Sequence, residues 1–220
     1  MAFRAEIRRA LASPVGAKLS QVFYAPRVTV LVADAQGGER DVMALSELAD
    51  ALVRVGTARG RQMTILAGAE RPGDALRERA RMLRATLGMP VVVHDPGAAS
   101  PYSPGSVEGV GPLGLDDELR EAEAVVVVGR FSRGMAGAMH GGPALLLPGL
   151  ADADTRERFR NAGALDALSF AVLDHVEVDF ALVWDSGDPS RARAGAGRET
   201  LLQCAADGWL APPDSPRAQR

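Results

Sequence analysis

Apolar positions in this chain fall into two alternating patterns, short β-branched runs and stripes with a period near 3.6. Val28–Val32, Met63–Ala67, Val91–Val93 and Val125–Val128 are runs of the first kind and read as buried strands. Between the first two, Leu45, Leu48, Ala49, Leu52 and Val53 take the spacing of an amphipathic helix that stops near Gly56. Between the second and third, Leu76, Ala80, Leu83 and Leu87 line one helical face, with Asp74 as N-cap and Gly88 at the end. Asp154–Asn161 and Leu165–Leu173 predict two further helices parted by Gly163, and a short helix is expected over Asp116–Ala122. Val176, Val178, Phe180, Leu182 and Trp184 alternate with their neighbours, which predicts a half-buried strand nearer an edge of the sheet. A Gly-Asp-Pro turn and a helix near Arg198–Ala206 follow it. Residues 95–114, rich in Pro, Gly and Ser, predict a long loop that is either a functional lid or a mobile segment.

Strands alternating with helices predict an α/β fold: a doubly wound, mostly parallel, Rossmann-like sheet in a single domain. Its expected span is 25–208, with 1–24 as an N-terminal extension and 209–220 as a disordered tail. The 220 residues, 47% of them hydrophobic, are enough for a core without disulfides. The single cysteine, Cys204, excludes an intrachain disulfide framework and a cysteine-rich zinc site. A net charge of −3 gives no basic footprint for nucleic acid. No apolar run reaches the roughly 18–20 residues of a membrane span. The opening residues lack the continuous apolar core of a secretory signal, so the expected location is the cytoplasm. Lys18 is the sole lysine among 25 basic residues, which reads as the imprint of a GC-rich bacterial genome and leaves almost no amine for covalent chemistry.

Ligands of such sheets bind at the carboxyl ends of the strands, and candidate residues fall there. Asp34 either caps the next turn or binds a ribose hydroxyl, a metal or a substrate amine. Glu70-Arg71, just after Gly68, reads as an acid/base beside an anion clamp or as a solvated pair before a helix. His140, in Met139-His140-Gly141-Gly142, is a candidate base or metal ligand, although a lone histidine is more often structural. His94 and His175 favour a structural role, His175 because it falls at a helix-to-strand junction. No HExxH, CxxC, GxSxG or Walker pattern is present, and the loop after Val128 does not match GxGxxG.

Three segments, VTVLVADAQGG (28–38), TILAGAERP (64–72) and VVVVGRFSRGMAGAMHGGPALLLPG (125–149), together resemble the N-terminal domain of the lactate racemase (LarA-like) family. The VLDHVEVDFALVWD stretch (172–185) follows the same layout, so the resemblance runs from about Val28 to Ala206. It implies a nickel-pincer nucleotide cofactor held covalently by a motif lysine, a nickel-binding histidine, and two histidines that exchange protons with a 2-hydroxy acid. The residues depart from that pattern. One proton-transfer histidine falls on Glu70, with Gly68, Arg71 and Pro72 kept; the other falls on Gly134, and the lysine on Ala144. The nickel histidine would fall near Arg160 or Asn161. Asp34 is kept, but the Thr-Arg pair after it becomes Gln36-Gly37. The chain also ends where the second domain of the family would begin.

These departures predict a catalytically degenerate relative without metal ligands, for which no cofactor is expected. It would keep a phosphate- or carboxylate-binding scaffold of Asp34, Gly68, Arg71, Gly141 and Gly142, and it would bind a small-molecule or nucleotide ligand or serve as a partner subunit. The alternative is an active isomerase, a 2-hydroxy acid racemase or epimerase that uses Glu70 and His140, with a partner chain or homo-oligomer supplying the second domain. A third reading is a generic nucleotide-binding α/β domain.

Overall fold

The structure is a computed structural model that describes residues 2–23, 29–34, 38–56, 63–68, 74–97, 101–133, 139–185, 187–188 and 190–209. Its centre is a twisted sheet in the order β3-β2-β1-β6-β8-β9. The strands are β1 (Thr29–Asp34), β2 (Met63–Gly68), β3 (Val91–Val93), β6 (Ala124–Arg133), β8 (Phe180–Asp185) and β9 (Ala192–Ala196). The first five of these run parallel; β9 closes the sheet antiparallel to β8. The α/β architecture expected from the sequence is therefore the observed one.

The valine runs serve two cores at once. Val30 and Val32 of β1, Val125 and Val127 of β6, and Ala181 and Val183 of β8 face one core. Leu31, Ala33, Ala124, Val126, Val128, Phe180 and Leu182 face the other. The second core is closed by α1 (Ala2–Ala12), α3 (Glu39–Arg54) and α4 (Asp74–Leu87), through Ile7, Ala10, Leu45, Leu48, Leu52, Leu83 and Leu87. The first is closed by α5 (Ala153–Asn161), α6 (Leu165–Ala171), α7 (Gly197–Ala206) and the segment 101–123. Each buried Val or Leu side chain contributes about 1.5–3 kcal/mol of transfer free energy, so neither face tolerates exposure.

Several expectations are corrected. The alternating segment from Val176 becomes strand only at Phe180, and its first five residues are buried, because β9 covers the edge that the sequence left open. That strand, Ala-Arg-Ala-Gly-Ala, carries no β-branched residue and was not predicted. Residues 101–115 form neither lid nor free loop. They contain a small hairpin, β4 (Ser106–Val107) with β5 (Gly111–Pro112), and bury Val107, Val110, Leu113 and Leu115 in the core. The helix expected over Asp116–Ala122 is a 3-10 turn, Asp117–Leu119, whose N-cap is Asp116. Asp74 is the first helical residue of α4. Residues 2–23 supply α1 and α2 (Leu19–Val22), and Trp209 is buried. The side chain of Leu76 lies outside the described residues.

The N-terminal segment closes the β9 edge. Val15 donates to the Ala194 carbonyl at 2.7 Å and accepts from Ala196 N–H at 3.0 Å. Glu6 accepts from Ala192 N–H at 3.0 Å, while Arg9 donates to the Ala192 carbonyl at 3.0 Å. The Arg9 guanidinium holds the Glu6 carboxyl below the usual carboxylate range. Backbone groups that would template another strand are thereby used up. On the helical side, Glu47, 5% exposed, accepts from Arg8 at 2.7 and 2.9 Å and pairs with Arg4 at 3.1 Å, tying α1 to α3.

The strand β6 runs past the sheet to Arg133, and β7 (Met139–Gly141) folds back on it antiparallel. The return is so close that a Cβ on Gly141, where φ is 75°, would sit 1.5 Å from the Arg130 carbonyl oxygen. A Cβ on Gly142 would meet the Phe131 ring at 2.6 Å. Gly141→Ala is therefore expected to lower folding stability by about 3 kcal/mol or more, measurable by urea denaturation. Cys204 is fully buried on α7, and burial pushes its thiol up to about 12. Iodoacetamide near pH 8 should leave it unmodified in the native protein and alkylate it fully in denaturant, because only the thiolate reacts.

Candidate functional site at the carboxyl edge of the sheet

The strand order places the topological switch between β1 and β6. These neighbours run parallel in register, Thr29 with Ala124 through Ala33 with Val128. From β1 the chain leaves to α3 on one face, and from β6 it leaves to β7 and a 3-10 turn (Gly142–Leu145) on the other. Diverging connections open a crevice at the strand ends, the position where doubly wound sheets bind ligands. Asp34 ends β1 and pairs by backbone register with Gly68, which ends β2. The side-chain surroundings of both, and Glu70, Arg71, Pro72 and Gly134 altogether, lie outside the described residues.

The β6–β7 hairpin extends from this end of β6. His140, the exposed middle residue of β7, stands opposite Ser132. Gly141 and Gly142 are buried, and their identity follows from the approach to Arg130 and Phe131 described above. Asp166, at the start of α6, accepts from Met139 N–H at 2.8 Å and anchors the hairpin. Ala144 is half-buried in the 3-10 turn, and its carbonyl accepts from Gly149 N–H at 2.9 Å. Arg156, 3% exposed, donates to the Gly149 carbonyl at 2.7 Å. The sequence gives no hint of this buried arginine beyond its place on the apolar side of α5.

The residues at the positions that the resemblance assigns to a nickel-pincer cofactor differ from that pattern. Ala144 offers a methyl group where a lysine amine is needed, and Arg160 and Asn161, exposed at the end of α5, are not nickel ligands of the imidazole type. Among the described residues, no group of three or more His, Cys, Asp or Glu side chains is placed to hold a metal ion.

Two other features lie away from the switch point. A groove of about 1200 Å³, lined in part by Asp174, His175, Asp179, Gly197 and Arg198, sits at the amino end of β8, opposite the carboxyl edge. His175 there packs on Gly105, where a Cβ would lie 2.4 Å from its Nδ1. A smaller cavity, about 320 Å³, lies at the carboxyl end of β3 and is lined by His94, Asp95, Asp116, Asp117, Glu118, Glu121 and Asp152 among others. His94 is 3% exposed, with Nδ1 2.6 Å from Asp116 Oδ2 and Nε2 2.9 Å from the Ala151 carbonyl oxygen. Its structural role was legible in the sequence; its partners, remote along the chain, were not.

No protein-family model and no curated protein matches the sequence. Solved structures do. The lactate racemase apoprotein from Thermoanaerobacterium thermosaccharolyticum superposes with a TM-score of 0.76 at 20% identity, over 96% of this chain and 56% of that one. A protein from Thermotoga maritima superposes with a TM-score of 0.66 at 12% identity, over 94% of this chain and 57% of that one. This chain thus spans little more than half the length of either. Among the described residues, no helix is long and apolar enough to cross a membrane. The chain has the α/β fold of the lactate racemase apoprotein over the part of that protein it matches.

Proposed function

We propose that the chain is a divergent LarA-like domain that binds a small carboxylate or phosphate at the carboxyl edge of its sheet and does not racemise it. The observation that carries this reading is Ala144: the position that would bear the cofactor lysine holds a methyl group packed into a 3-10 turn. Gly134 cannot transfer a proton, which leaves Glu70 alone where inversion at a carbinol carbon needs a group on each face of the substrate. Arg71 supplies a planar two-pronged donor suited to a carboxylate or phosphate, Asp34 an acceptor for a hydroxyl, and Gly68 close backbone approach. Gly141 and Gly142 shape the wall of the crevice.

Inorganic phosphate and lactate serve as probes in titration calorimetry, where Arg71→Ala should weaken binding about tenfold or more, a loss of about 1.4 kcal/mol. Protein purified from its native host should carry no stoichiometric nickel and should leave the optical rotation of L-lactate unchanged. The exposure of His140 beside the crevice is what favours the isomerase alternative. Racemisation that falls in Glu70→Gln or His140→Ala would establish that alternative and overturn the degenerate reading. Nucleotide binding indifferent to Arg71→Ala would point instead to a generic nucleotide-binding domain.

A further inference from the structure

We propose that the face beside α2 pairs two copies of this chain about a two-fold axis through that helix. Together with its N-cap Lys18, α2 forms a wall shared by two open cavities. Gln21 and Val22 line the groove of about 1200 Å³ beside Asp174 and His175. Lys18, Leu19 and Ser20 line a cavity of about 520 Å³ that α1 and the end of α3 complete. The two carry opposite charge. Asp174, Glu177, Asp179 and Glu199 line the groove against one guanidinium among the described residues, Arg198, which pairs with Asp174. Asp179 accepts from Val125 N–H at 2.9 Å. Glu177 and Glu199, both exposed, have no ion-pair partner among the described residues. In the smaller cavity Glu47 is held by Arg8 at 2.7 Å and by Arg4 at 3.1 Å, and Asp50 is also partnered. That leaves Lys18 and Arg54, both exposed, as cations with no ion-pair partner among the described residues.

An exposed ion pair adds little affinity by itself, but both cavities also offer apolar surface. Leu202, 46% exposed, lines the groove with Val22, Leu173 and Val178. Leu11, Pro14, Leu19 and Val55 line the smaller cavity. Burial of such surface supplies affinity, while the unpaired charges select the partner and fix the register. A basic partner would answer the groove alone, and an acidic one the cavity alone. A second copy answers both. A half-turn about an axis through α2 exchanges the two cavities, so the acidic groove of each copy meets the basic cavity of the other. Head-to-tail stacking of the same surfaces would leave one groove and one cavity open at the ends of a growing chain, whereas the half-turn uses both and closes. The groove lies at the amino end of β8, so the pairing leaves the carboxyl edge uncovered and does not depend on what binds there.

Sedimentation velocity on the full chain tests this. The wild type should be a dimer at about 100 µM in low salt, and its Kd should rise about tenfold or more between about 0.05 and about 0.5 M sodium chloride, as screening shortens the reach of the charges. Lys18→Glu with Arg54→Glu makes both surfaces acidic, and Glu177→Lys with Glu199→Lys makes both basic. Each double variant alone should therefore be monomeric. Mixed in equal amounts, the two should form a heterodimer, because every altered surface again meets its opposite. Lys18 is the sole lysine, which allows a direct check. Carbodiimide coupling of mixed ¹⁴N- and ¹⁵N-labelled wild type should give peptides that join Lys18 of one label to Glu177 or Glu199 of the other. A monomeric wild type, a dimer that persists in either double variant alone, or a mixture that stays monomeric overturns the proposal. Should a variant fail to fold, the labelled wild type decides: coupling that never joins the two labels at these residues overturns it.

Discussion

The fold depends on one constraint: the central strands are buried on both faces. Ala124 through Val128 are each nearly inaccessible, and consecutive side chains feed different cores. A strand of this kind needs helical or hairpin cover above and below, so the chain must change faces at least once. It does so on passing from the β1–β2–β3 half to β6. The crevice at the carboxyl edge is the geometric by-product of that change. The position of the candidate site therefore follows from the hydrophobic pattern, before any polar residue is considered. The same pattern explains why the groove of about 1200 Å³ beside Asp174 and His175 is not the candidate, since it lies at the opposite end of the strands.

A sheet built this way still has edges, and the β9 edge shows how much of a fold is decided outside local propensity. β9 is written in small residues because other backbone presses on it. A Cβ on Gly195 would sit 2.0 Å from the Val15 carbonyl oxygen, and one on Gly197 would sit 2.1 Å from that of Val178. Crowding rather than β-preference selects these residues. The N-terminal segment that does the crowding is itself held by Glu6, Arg9 and Glu47. Edge and N-terminus thus form one unit. Neither half of it has an independent signature.

This divides what was legible from what was not. The parallel strands and α3, α4, α5 and α6 were readable because valine runs and helical stripes are local signals of cores on both faces. β9, α1 and the 101–115 segment were not, because their burial is created by partners far along the chain: Val15 for β9, α3 for α1, and Arg158 for the hairpin, whose Val110 and Pro112 carbonyls it holds at 2.9 and 2.6 Å. The site divides in the same way. That Asp34 and Gly68 close their strands was readable, as was the structural bias of His94. That His94 faces two acceptors at once depends on Asp116 and Ala151 arriving from separate segments.

The glycines of the β6–β7 hairpin bear on how the resemblance to racemases should be weighed. Gly141 and Gly142 are required by the approach of one strand to another, whether or not a ligand binds. Gly149 is under the same steric rule, since its Cβ would lie 2.2 Å from the Leu145 carbonyl oxygen. A chain that has given up its chemistry but kept its fold would retain these positions and be free to change the reactive ones. In the proposed reading, Ala144 and Gly134 are positions of the second kind. The glycines therefore speak for the fold. The proposal of anion binding therefore rests on Arg71 and Asp34, as the sequence places them, rather than on the glycine-rich loop that first draws the eye.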